Sequence, residues 1–151
     1  MTAPSGGTQS RWNRWVDSSP SDRMLFLRAS LMLLLTRVAL RTIGFASVRR
    51  AIDASPAGAE TGRVEEGRAS ARSVERAGRH LPFATTCLDR SVALCWMLRA
   101  DALSGSLRIG VHKDNGGFAA HAWVERMGEC LLDDGGGEFD SFDEELLGES
   151  R

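Results

Sequence analysis

The chain has 151 residues, 42% of them hydrophobic and 26% charged, with a net charge of −1; this allows one domain with a modest core and excludes nucleic-acid binding by bulk charge. The charge is unevenly spread: residues 1–80 hold thirteen Arg against seven acids, and residues 135–151 hold six acids against Arg151. That asymmetry points to docking of one end on the other, or to a charged partner surface.

Residues 1–18 are rich in Gly, Ser, Thr and Pro, with Trp12 and Trp15 three apart, and read as a flexible tail whose tryptophans pack on the body or meet a partner. The first twenty residues lack the basic-then-apolar order of a signal peptide. Ser19-Pro20-Ser21-Asp22 is a helix start, with Ser19 as cap, Pro20 in the first turn and Asp22 at the positive end of the dipole. The helix is expected to run to about Thr42. Leu27, Leu31, Leu34 and Val38, broadened by Leu35, form its apolar stripe, and Arg23, Arg37 and Arg41 mark the wetter side. The run near Leu31–Leu35 has only eight uncharged residues between Arg28 and Arg37, against the roughly 20 of a membrane span. It reads as a core helix.

Gly44 ends that helix, and Ser47 to Ile52 forms a short second one. Residues 54–67, with Pro56 and three glycines, read as a loop. A third helix is expected from Arg68 to about His80, with Ser70, Val74, Ala77 and Leu81 on one face and an arginine-rich face elsewhere; Pro82 stops it. From Cys87 to about Ala102 the chain is apolar on most sides, as in a central buried helix. Leu107 to His112, Phe118 to Glu125 and Glu129 to Leu132 alternate as strands, joined by turns at Asn115-Gly116-Gly117 and Met127-Gly128. Helices followed by a three-strand meander give an α+β fold. Residues 135–151 read as an acidic tail in which Phe139, Phe142, Leu146 and Leu147 offer an amphipathic docking segment.

The chemistry lies between Phe83 and Asp134. A thiol attacks as its thiolate, and a helix N-terminus or a neighbouring imidazolium favours that form. Cys87 stands at a loop-to-helix junction, where unsatisfied N–H groups also receive an oxyanion. Cys95, two turns into the helix between Leu94 and Trp96, reads as a core residue, and Cys130 as structural. His121 shares one strand face with Ala119, Trp123 and Glu125, so its imidazole lies between a small residue and an aromatic wall. His112 reads as exposed, and His80 as a helix-end residue. An imidazole base needs an acceptor for its second nitrogen. Asp133 reaches it across the turn, and Asp134 is one register step away. A metal site built from Cys87, His121 and Asp133 lacks a fourth ligand. Cys, His and Asp in this order suggest a thiol hydrolase or an acyltransferase.

Cys87-Leu88-Asp89-Arg90-Ser91, Leu107-Arg108-Ile109-Gly110-Val111, and Ala120-His121-Ala122-Trp123-Val124-Glu125 with Gly128 and Asp133 resemble the transglutaminase-like leader peptidases of lasso peptide biosynthesis. The resemblance covers about residues 80–134. It implies a papain-like core, a triad of Cys87, His121 and Asp133 with no cofactor, and removal of the leader from a ribosomally made precursor peptide. It also implies a separate leader-recognition protein, since residues 1–80 do not read as a strand-rich recognition module, and a separate cyclase that acts afterwards. Thr86 and Trp123 are the expected oxyanion or substrate-positioning residues. The layout is then a tail over 1–18, a helical docking region over 19–80, a catalytic core over 81–134 and an acidic tail over 135–151. An acyltransferase with the same triad, and a catalytically silent peptide-binding adaptor, are the alternatives.

Overall fold

The structure, a computed structural model, describes residues 19–56, 64–114, 117–132 and 140–141. Its elements in chain order are α1 (Pro20–Thr42), α2 (Phe45–Ala54), α3 (Val64–His80), α4 (Cys87–Ala100), β1 (Ser106–Asp114), β2 (Gly117–Arg126), β3 (Glu129–Leu132) and β4 (Asp140–Ser141). The strands form one antiparallel sheet in the order β3-β2-β1-β4. This is the expected α+β arrangement, helices packed on a meander. The two-residue β4, within the segment expected as a tail, adds an edge by pairing Ser141 with Gly110 and Asp140 with Val111.

Local chemistry explains the element boundaries. The Ser19 hydroxyl accepts the Asp22 N–H at 3.2 Å, capping α1 with Pro20 in its first turn. Gly44, at φ 77°, makes the left-handed step from α1 into α2, a conformation that a Cβ would strain. Gly128, also at φ 77°, closes the β2–β3 turn.

The core forms where the four helices meet the sheet, with Val48 and Ile52 contributed by α2. α4 is its centre: Ser91, Val92, Ala93, Leu94, Cys95, Met97 and Leu98 are all fully buried. On one side lie Leu107, Val124 and Leu132 from the sheet; on the other lie Phe26, Ala29 and Leu33 from α1 with Ala71, Val74 and Ala77 from α3. The expected inner face of α3 is therefore confirmed in Ser70, Val74 and Ala77. Polar ties hold the layers together. Arg28 Nη1 bonds Asp101 at 2.6 Å, linking α1 to the end of α4. Arg68 joins α3 to β3 through Glu129, with Nε at 3.0 Å.

One expectation is overturned. The stripe assigned to the core, Leu27, Leu31, Leu34, Leu35 and Val38, is 46–61% exposed, and α1 buries Phe26, Ala29, Leu33 and Thr36 instead. α1 is apolar nearly all round, so two stripes recur at three-or-four spacing and periodicity alone cannot choose between them. The neighbours make the choice: α1 packs on both α3 and α4, and Phe26 and Leu33 join Ala71, Val74 and Ala77 of α3 in one core cluster. Arg37, assigned to the wet side, is turned inward with its side chain 23% exposed. Among the described residues no helix is long and apolar enough to cross a membrane.

Candidate active site

Cys87 is the first residue of α4, half-buried and free. Thr86 is the cap: its Oγ1 accepts the Asp89 N–H at 3.1 Å, and Asp89 Oδ2 accepts the Thr86 N–H at 2.9 Å. This is a reciprocal capping box, Thr-x-x-Asp before an apolar run. It satisfies the Asp89 N–H, while the N–H groups of Cys87 and Leu88 have no acceptor within the helix. The thiol thus stands beside two backbone donors at the positive end of a buried helix, the geometry an oxyanion requires.

The residues around Cys87 are approached from two helices, α1 and α3. Arg37 donates from Nη1 to the Ala84 carbonyl at 2.6 Å, its Cζ lies 4.5 Å over the Phe83 ring, and Nη1 is 3.8 Å from Asp89 Oδ2. From α3, Gly78 lets the loop approach: a Cβ there would stand 2.9 Å from Thr85 Oγ1.

His121 and Trp123 lie on β2 as the alternation requires. Their rings are stacked, with centroids 6.0 Å apart and planes inclined by 16°. Trp123 is 8% exposed and donates from Nε1 to Glu125 Oε1 at 2.9 Å, while Arg108 Nε donates to Oε2 of the same carboxylate at 3.1 Å. Arg108 sits opposite Trp123 on β1, and Gly110 opposite His121. The indole is thus fixed at its polar edge and presents its face to the imidazole. Glycine on the neighbouring strand places no side chain across from the histidine.

Two contacts determine how α4 runs over β2. Towards its C-terminal end, Leu98 and Val124 converge on Gly105, where a Cβ would lie 2.6 Å from Leu98 Cδ1 and 3.5 Å from Val124 Cγ1. One turn after Cys87, the fully buried Ser91 donates from Oγ to the Ala122 carbonyl at 2.9 Å. The first turn of α4 therefore continues beyond Ala122, towards His121 and the exposed Ala120. The helix start that carries Cys87 and the strand segment that carries His121 lie at the same end of this contact. Asp133 and Asp134 lie outside the described residues.

The other two thiols lie in contrasting surroundings. Cys95 is fully buried, and desolvation pushes its thiol up to about 12. Cys130, read as structural, is exposed on β3, with Sγ 3.5 Å from the Leu132 carbonyl; a four-residue edge strand with the burial pattern of β3 turns that position outward. His80 closes α3 as expected, with Nδ1 2.7 Å from the Arg76 carbonyl, and its ring meets Phe26 edge-on. The His112 side chain lies outside the described residues. Among the described residues no group of His, Cys, Asp and Glu could hold a metal ion.

Sequence reasoning missed Ser91, Arg37 and the Arg108–Glu125–Trp123 chain. Glu125 and Trp123, two apart on one strand face, were the one available signal for the last of these. A family model described as Transglutaminase-like superfamily matches residues 30–144, a span that includes Arg37, the helix that Cys87 opens and the strand that carries His121. No curated protein and no solved structure matches the chain.

Proposed function

The chain belongs to the transglutaminase-like superfamily, and on that footing we propose that it is a cysteine peptidase that removes the leader from a ribosomally made lasso precursor peptide. The superfamily's fold is of the cysteine protease and acyltransferase type. The observation that carries the reading here is the Ser91–Ala122 bond, because it ties the helix start bearing Cys87 to the strand bearing His121. The substrate class rests on the resemblance in residues 80–134.

In this reading His121 takes the Cys87 proton, and the thiolate attacks the carbonyl at the leader–core junction. The tetrahedral oxyanion is held by the N–H groups of Cys87 and Leu88, at an end of the helix shaped by the Thr86 cap. His121 returns the proton to the leaving amine, which departs as the amino terminus of the core peptide. Water, giving its proton to His121, then hydrolyses the thioester and restores the thiol. Trp123 holds the imidazole plane, and Asp133 accepts from the second ring nitrogen. The enzyme works in the cytoplasm with a separate leader-recognition protein, ahead of the cyclase that uses the new amine.

The test is a reconstituted cleavage assay read by mass spectrometry, with the full chain, a lasso precursor and its recognition protein. Cys87→Ala and His121→Ala abolish the cleaved leader, and Asp133→Asn lowers the rate more than Asp134→Asn. Cleavage by Cys87→Ala sinks the proposal. A precursor adduct with an added amine, in place of a cleaved leader, converts it to acyl transfer. Failure of Cys87 to react with iodoacetamide at neutral pH supports the silent adaptor instead.

A further inference from the structure

We infer that Arg37 is a positioning residue for the Cys87 thiol, acting through the loop that precedes it. The inference rests on the reading of Cys87 as nucleophile. The Arg37 side chain makes three contacts around Cys87: a hydrogen bond to the Ala84 carbonyl, a ring contact with Phe83 and an ion pair with Asp89. Residues 81–86 belong to no helix or strand, so their carbonyls and rings are not restrained by a ladder. Arg37 takes hold of this segment three and four residues before the thiol, and of Asp89 two residues after it.

The base of the clamp is stiff. Leu33 and Thr36, one turn and one residue earlier on α1, are 0% and 3% exposed, so the arginine stem leaves a buried stretch of helix. Its far end is coupled to the cap, because the carboxylate it faces is the one that accepts the Thr86 N–H. Cys87 lies between the two capping partners. Asp89 also places a negative charge near the oxyanion end of α4, and Arg37 offsets it; the Asp89 side chain is only 8% exposed and therefore weakly screened by water. Charge, a planar face and an in-plane donor are all in use, a combination that guanidinium supplies and ammonium does not.

A residue that merely glued α1 to the loop would affect folding, and substrate binding and turnover together. A positioning residue lowers turnover selectively, since an ångström of misplacement at the reacting atom is costly while the binding surface is unchanged. The experiment uses the full chain in the leader-cleavage assay, with Arg37→Met, Arg37→Lys, Phe83→Leu and Cys87→Ala, and a thermal melt for each. The expected result for Arg37→Met is a loss of roughly 10- to 100-fold in kcat with KM within about two-fold and a cooperative melt. Arg37→Lys regains part of kcat through the Ala84 carbonyl, and Phe83→Leu, which removes only the stacking surface, falls between wild type and Arg37→Met. Wild-type kcat in Arg37→Met, or a loss that follows the unfolded fraction, overturns the positioning role. If Cys87→Ala itself cleaves, the nucleophile reading fails first; if Cys87→Ala is inactive and Arg37→Met is not, only the role of Arg37 fails.

Discussion

Ser91→Ala is the most informative single change, because a buried hydrogen bond joins the helix that Cys87 opens to the strand that carries His121. The hydroxyl is fully buried and donates to the Ala122 carbonyl at 2.9 Å. Removing it forfeits a net bond of roughly 0.5–1.5 kcal/mol and leaves a buried carbonyl whose desolvation costs about 1–3 kcal/mol. The two overlap, so the expected destabilisation is about 1–3 kcal/mol, or a fall of roughly 2–4 °C in Tm per kcal/mol for a chain of this size. A cavity contributes almost nothing, since only one oxygen is lost. Urea unfolding followed by far-UV circular dichroism measures the stability change, and leader cleavage measures the functional one. Activity is expected to fall by more than the loss of folded protein accounts for, because helix and strand are then free to slide by a fraction of an ångström. Ser91→Cys, which keeps a weak donor, retains part of both. An unchanged urea midpoint in Ser91→Ala refutes the bond; an altered midpoint with unaltered kcat refutes its role in aligning the site.

Three further outcomes are expected from the same packing. Leu33→Ala, at a fully buried position, costs about 2–5 kcal/mol, while Leu31→Ala, 56% exposed, costs under about 1 kcal/mol; equal urea midpoints would refute the face assigned to α1. Thr36 Oγ1 is buried without a hydrogen-bond partner among the described residues, so Thr36→Val, of similar shape, raises stability by about 1 kcal/mol, and a lower midpoint in urea contradicts this. For Cys95, burial lifts the thiol from 9.0 to about 12: the unfolded thiol releases its proton first as pH rises, so its stabilising contribution is intact below 9.0 and is lost as pH climbs towards 12. The chain has no Tyr and a single Lys, Lys113, so few other groups titrate there, and Cys95→Ala should flatten the fall of the urea midpoint with pH.

What could be read in advance follows from how each feature is encoded. The helix start at Cys87 was legible as a loop-to-helix junction, and its cap is a local pattern, Thr86 and Asp89 three apart before an apolar run, that the structure brought out. The face shared by His121 and Trp123 follows from two-residue alternation, which depends on nothing outside the strand. The face of α1 depends on its neighbours. With Leu at 27, 31, 33, 34 and 35 nearly every rotation of the helix offers apolar surface, and the packing of α1 against α3 and α4 decides that Leu33 turns inward.

The two supports of the site that no pattern revealed have one trait in common. Ser91 and Arg37 each bond a main-chain carbonyl, of Ala122 and Ala84 respectively, 31 and 47 residues away along the chain. A carbonyl belongs to every residue, so its partner leaves no mark at the residue that accepts the bond, and the donor looks like any serine in a helix or any arginine on a surface. The site is consequently built from two kinds of information. Its proposed reacting groups are displayed by residue type and spacing; the elements that carry them are held by side chains that clasp the backbone, and these can be found only once α1, α4 and β2 are packed together. Substitutions of the second kind should lower kcat in a chain that still melts cooperatively, whereas core changes such as Leu33→Ala should lower the population of folded enzyme and leave the turnover of each remaining molecule intact.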